Sequence, residues 1–505
     1  MKSLLYYGIF WAAIIMLPVS ALAKADLIVA TQAPPKSMNP HAFSSDDNLS
    51  YMSNFFDGLL QRSPPEGDLS PALATAWERT DVTTWKFNLR KGVKFHNGND
   101  FDADDVKFTF ARMKDPKYSQ LLNIANSIES IETPDRYTVI FKTRKSVPWF
   151  AETMHLNFIV DKESSEKRED SDYSTRPVGT GAYKFVEWIK GSYVRMEAND
   201  QYWEGAPKYK SVDICPITEE AKYLAALTDK QVDIVNTVPE ILINQFEAMP
   251  HVELISQAGR RAIYLDIGNK PDTPFEDLRV RQAIAHAINE EEIIEKVMGG
   301  RATLAHQVPD IPTTGYDKTL QRLVYNPQKA KELLAAAGYP DGFEITIAGP
   351  NDRYINDEKI CEAVAKYLKA VGLKVNLDIK SKSVFFEELT AKKHDFYLIG
   401  WFDGSFDFGR SAEKLLHSPD EARGMGVYNG AQYSHRDIDN QIIESSSILN
   451  RTERAKALQR INRQSVEDIA WIPLHYQQDI FAVVKGRDIL FTPRSDRWLV
   501  VKEIK

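Results

Sequence analysis

Cysteine is nearly absent from this chain: 505 residues contain only Cys215 and Cys361. Two thiols make no disulfide framework, and nothing in the sequence says whether they meet, so no bridge is assigned. The ten histidines stand singly from His41 to His475, with no pair at helical ligand spacing, so no metal site is assigned either. Basic charge is not in surplus: 63 Lys and Arg face 71 Asp and Glu, a formal charge of −8. That balance argues against a nucleic-acid partner and leaves no polybasic patch for a membrane. Low-complexity tracts and internal repeats are missing. So are long apolar runs beyond residues 4–17, which fall short of the roughly 20 residues that span a bilayer.

That one run has a meaning of its own. Lys2 precedes it and Ala21-Leu22-Ala23 follows it, which reads as a cleavable export signal over residues 1–23. No Cys follows the run to carry a lipid. The natural destination is a Gram-negative periplasm, and loss of Lys2 leaves 62 basic against 71 acidic residues, a charge of −9.

An apolar content of 43% excludes a disordered chain. The length exceeds one simple core and predicts two or three compact bodies. Residues 27–30 read as a first strand, and Trp85, Phe87 and Leu89 alternate as a half-exposed one. Asp102 to Asp105 open a helix with acids at its N-terminus. From about Arg261 the pattern becomes regular α/β. Asn326-Pro327 starts a helix that Gly338 ends, and residues 343–348 form a strand. A helix then places Ile360, Val364, Tyr367, Leu368 and Val371 on one face. Strands over 373–379 and 395–400 follow. This alternation predicts a mostly parallel sheet with ligand-facing loops at the strand carboxyl ends.

The most specific stretch is 177–207. Pro177, Gly179 and Gly181 predict a turn that needs positive φ or close backbone approach. Tyr183, Phe185 and Trp188 supply an aromatic strand. Tyr202-Trp203, bracketed by Asn199-Asp200 and Gly205-Ala206-Pro207, read as an aromatic packing plug between two turns.

The pattern G-T-G-A-Y-x-F followed by N-D-x-Y-W-x-G-x-P resembles the extracytoplasmic solute-binding proteins of family 5, which serve dipeptide, oligopeptide and nickel ABC importers. Segments 89–110, 274–289 and 470–478 resemble the same family. The resemblance implies an α/β, two-lobed periplasmic binding protein of type II, with mixed sheets flanked by helices. A first lobe over 24–260 would carry an extra subdomain at about 60–175 and be completed by 480–505. A second lobe would span 261–479. The hinge would lie near 259–266 and 475–478, and the ligand in the cleft between lobes.

The resemblance also implies site residues. The strand ending in Gly400-Trp401 leads a loop whose aspartate receives the ligand ammonium in peptide-binding relatives. This loop departs from the family, with Gly404 in the usual acidic position, so Asp403 or Asp407 would take the role; the alternative is that both cap turns. Arg353 would meet the ligand carboxylate, since a guanidinium fork suits it, or else pair with Asp352 or Asp357. His41, Arg261, Tyr264, Tyr428 and Asn429 are further cleft candidates or structural residues. The segments 350–357, 382–386, 400–401, 429–434 and 471–478 look closer to the glutathione-binding-like branch than to the dipeptide or nickel branches.

The expected function is therefore capture of a small peptide or peptide-like solute by a monomer that delivers it to an inner-membrane ABC permease and its ATPase subunits, with no cofactor. An oligosaccharide, opine or nickel-chelate receptor is the alternative. An enzyme built on Asp403 and Asp407 lacks support: no G-x-S-x-G elbow or H-E-x-x-H helix is present, and Asp407-Phe408-Gly409 stands without the other kinase motifs.

Overall fold

The computed structural model describes residues 24–64, 67–167 and 174–505. The predicted export signal, residues 1–23, lies outside the described residues. No helix among these is long and apolar enough to cross a membrane.

One sheet organises the molecule. Its strands run in the order Lys374–Lys380, Glu344–Pro350, Phe396–Trp401, Val252–Ile267, Trp471–Val484, Ile234–Asn236, Leu27–Thr31, Ser211–Pro216, Tyr193–Ala198 and Tyr183–Ile189. Ala302–Leu304 adds to Trp471–Val484 off this path. The three strands read from the α/β alternation are parallel, as expected, and the sheet as a whole is mixed, as the family resemblance implies. Glu344–Pro350 is parallel to both Lys374–Lys380 and Phe396–Trp401, but Phe396–Trp401 is antiparallel to Val252–Ile267. Helical connections favour parallel pairing among these three strands; Val252–Ile267 enters the sheet from elsewhere in the chain.

The buried apolar side chains divide into four clusters. One draws on residues from Ala262 to Tyr476. A second joins Leu27, Phe55 and Tyr183 to Trp498, Val501 and Ile504. A third runs from Leu59 to Ile159 around the four-stranded sheet Ala74–Asp81, Thr84–Leu89, Thr138–Thr143 and Ile128–Asp135. The fourth gathers Ala30, Tyr223, Phe246 and Ala482.

Val252–Ile267 and Trp471–Val484 are the long elements that connect the first cluster to the second and fourth. They pair from Val252↔Val484 to Asp266↔Trp471, and the register shifts between Ala258 and Ala262. Gly259 sits in that irregularity. A Cβ there would lie 2.4 Å from the Gln477 carbonyl and 2.8 Å from the Asp479 carboxylate, so only glycine lets the strands approach.

Local signals explain the elements around this frame. Asp102 and Asp105 form a reciprocal capping box at the start of Ala103–Met113. Asn326 caps Pro327–Ala336 by accepting from the Lys329 amide, and Gly338 follows at φ +93°. Helix Asp357–Ala370 buries Ile360, Val364 and Leu368.

The 177–207 stretch ties three parts of the chain together. Gly179 and Gly181 serve close approach, since a Cβ at either would lie 2.2–2.4 Å from Phe55 backbone atoms. The Tyr202 hydroxyl, the Trp203 indole and the Thr180 hydroxyl all donate to Asp57, at 2.9, 3.1 and 2.8 Å. Lys502 of the tail donates to the Tyr202 oxygen at 2.9 Å. The tail is fixed again where Asn54 donates to the Leu499 carbonyl and accepts from the Val501 amide.

Candidate functional site

Parallel strands leave their loops at a common edge, and here those loops wall a cleft of about 530 Å³. Gln32 follows Leu27–Thr31, Ile217 and Thr218 follow Ser211–Pro216, Thr237 follows Ile234–Asn236, and Arg353 follows Glu344–Pro350. Arg261 and the run Gln477, Gln478 and Asp479 come from the two long strands, and Arg497 comes from the tail. A chamber of about 220 Å³ adjoins it, shares Gln32, Thr237 and Arg497, and adds Asp46 and Asp47. Thr237 and Arg497 both hold left-handed backbone, at φ +75° and +63°. Non-glycine residues adopt that region at a cost, and it recurs at ligand sites.

Charge in the cleft is polarised. Arg353 and Arg261 both lie over the Tyr354 ring, their guanidinium carbons 5.5 and 6.0 Å from its centroid. Among the described residues neither has a carboxylate within ion-pair distance, whereas Arg497 has Asp479 at 3.8 Å. Burial lowers the Arg261 pKa, and repulsion from Arg497 and Arg353 lowers it further. Burial raises the pKa of Asp479, against the pull of Arg497 and Arg261. Desolvation likewise raises that of Asp46, against the pull of Arg497 and Arg261. Cations thus dominate beside Tyr354, Asp479 lines the cleft next to Arg497, and Asp46 and Asp47 stand in the side chamber.

Of the residues singled out from sequence, Arg353 and Arg261 line this cleft. The others are placed elsewhere. Asp403 is buried and fully used: it accepts from the Ser405 amide and hydroxyl at 2.8 and 2.7 Å, from Ser411 at 2.7 Å and from Arg410 at 2.7 Å. Burial alone would raise its pKa; Arg410 and the serine donors hold it below the usual range. Asp407 caps Phe408–Ser411 and is gripped by Arg454. The turn-capping alternative describes both carboxylates.

His41 is fully enclosed, donating to the Phe158 carbonyl at 2.8 Å and accepting from Arg112 at 3.0 Å. Burial pushes its pKa down to about 3. Tyr264 is buried edge-on against Trp471. Asn429 bonds to His417 and Tyr433 inside a turn. Trp401 donates to Ser411 at 2.9 Å and packs at a tilt against the exposed Tyr428, ring centroids 5.9 Å apart. None of these walls the cleft or its chamber. Cys215 and Cys361 are both free thiols.

Comparison with known proteins decides the class. Residues 68–422 match the family described as bacterial extracellular solute-binding proteins, family 5 Middle. The chain belongs to that family. The oligopeptide-binding protein AppA of Bacillus subtilis is 25% identical over 504 residues, covering 94% of this chain and 91% of its own length. Heme-binding protein A of Haemophilus influenzae is 28% identical over 459 residues, covering 83% and 81%. The solved structure of HbpA2 from Haemophilus parasuis superposes with a TM-score of 0.85 at 21% identity, covering 95% of this chain and 99% of that one; this likeness shows the two-lobed fold.

As a family-5 solute-binding protein, the chain is a receptor rather than an enzyme. Sequence reading overlooked Asp46, Asp47, Asp479 and Arg497. Asp46 and Asp47 are the acids that open helix Asp46–Met52. Only Gln477 and Gln478 carried a signal, as the end of the 470–478 motif.

Proposed function

We propose that this protein captures a small zwitterionic peptide or peptide-like solute between its lobes and hands it to an inner-membrane ABC permease after export to a Gram-negative periplasm as a monomer. The observation that carries the reading is the polarised cleft. Arg353, exposed on its loop and without a carboxylate partner among the described residues, receives the ligand carboxylate as a forked donor. Asp46 and Asp47, facing the side chamber, supply the anion for the ammonium. The name of the AppA relative supports a peptide ligand. A cleft of this volume suits a small solute.

Capture is hinge closure. Ligand contacts made from both lobes favour the closed state in proportion to their differential affinity, with the irregularity at Gly259 as the flexing point. Calorimetric titration with zwitterionic di- and tripeptides, paired with small-angle scattering, tests this. Peptide should bind and shrink the radius of gyration, and Arg353→Gln should weaken binding on the order of 10–10²-fold. Equal binding by peptides with blocked termini would overturn the assignment.

A further inference from the structure

A ligand with one carboxylate occupies one guanidinium, and this cleft offers two at its cationic end. Arg261 is half-buried on a long strand and Arg353 stands on the loop opposite. Both lie within 6.0 Å of the same Tyr354 ring centroid, so a single small molecule can reach both. Neither has a carboxylate at ion-pair distance among the described residues. Arg497, the third cation, already has Asp479 at 3.8 Å.

The neighbouring residue shows what this chain does with an arginine that has only a structural task. Arg260 is buried in a bidentate pair with Asp310, bonds to Thr313 and the Asp403 carbonyl, and stacks on Phe406 at 3.3 Å. Arg261 has none of these and faces the cavity instead. Two like charges beside one ring repel, and closure removes the water that screens them. The arrangement becomes favourable when each meets an anion.

We infer that the solute carries two carboxylates close together, one on Arg353 and the second on Arg261: an acidic peptide, with a Glu, Asp or γ-glutamyl residue, rather than a neutral one. The side chamber with Asp46 and Asp47 still calls for an ammonium, which separates such a peptide from a simple dicarboxylic acid. This inference rests on the peptide reading above and adds the ligand's charge to it.

The test is calorimetry on the full mature chain with matched di- and tripeptides that differ only by Glu for Gln, with glutarate as a dicarboxylate lacking the ammonium. The Glu member of a pair should bind at least about tenfold tighter, and Arg261→Gln should abolish the preference, bringing the two members of a pair to similar affinity. The unliganded melting temperature of Arg261→Gln should stay close to that of the parent, because lost repulsion from Arg353 and Arg497 offsets lost attraction to Asp46 and Asp479; this measurement separates a specificity effect from a folding defect. Equal binding of Glu and Gln members overturns the inference and leaves the peptide reading standing. A preference that survives Arg261→Gln overturns the role of Arg261. Binding of glutarate with no binding of any peptide overturns the peptide reading itself.

Discussion

Arg454 holds Asp407 with two hydrogen bonds, one of them 2.8 Å long, and both side chains are buried. The Asp407 oxygen that accepts that bond also accepts from the Gly409 amide at 2.9 Å. Breaking a buried pair strands the remaining charge, so Asp407→Asn should lower unfolding stability by about 3–5 kcal/mol. Ligand affinity of the folded fraction should stay within about twofold. Chemical denaturation followed by calorimetric titration measures both, and a large affinity loss with unchanged stability would place Asp407 in the binding site after all.

Asp57 is a second internal anchor. With Thr180, Tyr202 and Trp203 all donating to it, Asp57→Ala would leave several buried donors without an acceptor. The expected loss is about 3 kcal/mol or more, read as a shift of the denaturation midpoint. A loss below about 1 kcal/mol would mean that the aromatic plug is held by packing alone.

The hinge makes its own prediction. Gly259→Ala forces a Cβ against the Gln477 carbonyl and the Asp479 carboxylate, so it should destabilise by about 1–3 kcal/mol and change the distribution of open and closed forms. Distance measurement between labels on the two lobes, with and without ligand, reads this. An unaltered distribution would remove Gly259 from the hinge.

Acid should weaken the fold through buried histidine. His475 is buried on the second long strand, neither ring nitrogen has a partner among the described residues, and burial lowers its pKa to about 4. The unfolded chain takes up the proton near pH 6.5, the folded one not until about pH 4. Unfolding therefore binds a proton in that window, and stability falls as pH drops through it, by at most about 1.4 kcal/mol per pH unit from this residue. His475→Leu should flatten the decline of melting temperature between pH 6.5 and 4; an unchanged slope would contradict the assignment.

What the sequence made legible follows from range. Asn326-Pro327, the Asp102 box and the Ile360, Val364, Leu368 face act within a turn or two of helix, and each sits where its local chemistry directs. Gly179 and Gly181 were readable as sites of close approach, though not the Phe55 backbone they approach. The cleft was legible only where a resembling segment or the expected hinge crossed it, at Arg353, at Arg261 and at Gln477 and Gln478. Asp407 looked available because its partner Arg454 lies 47 residues away. Asp46 and Arg497 meet across nearly the whole chain, which no spacing rule reveals. Antiparallel entry of Val252–Ile267 was hidden for the same reason: strand periodicity states which face is buried, not which neighbour covers the edge.

The central claim is that the polarised cleft holds a peptide. Native mass spectrometry on mature protein isolated from a periplasm, before and after gentle denaturation, tests it most directly. The account predicts release of a small peptide or glutathione-like molecule bearing a free amine and more than one carboxylate. Release of a porphyrin, sugar, opine or metal chelate would contradict it.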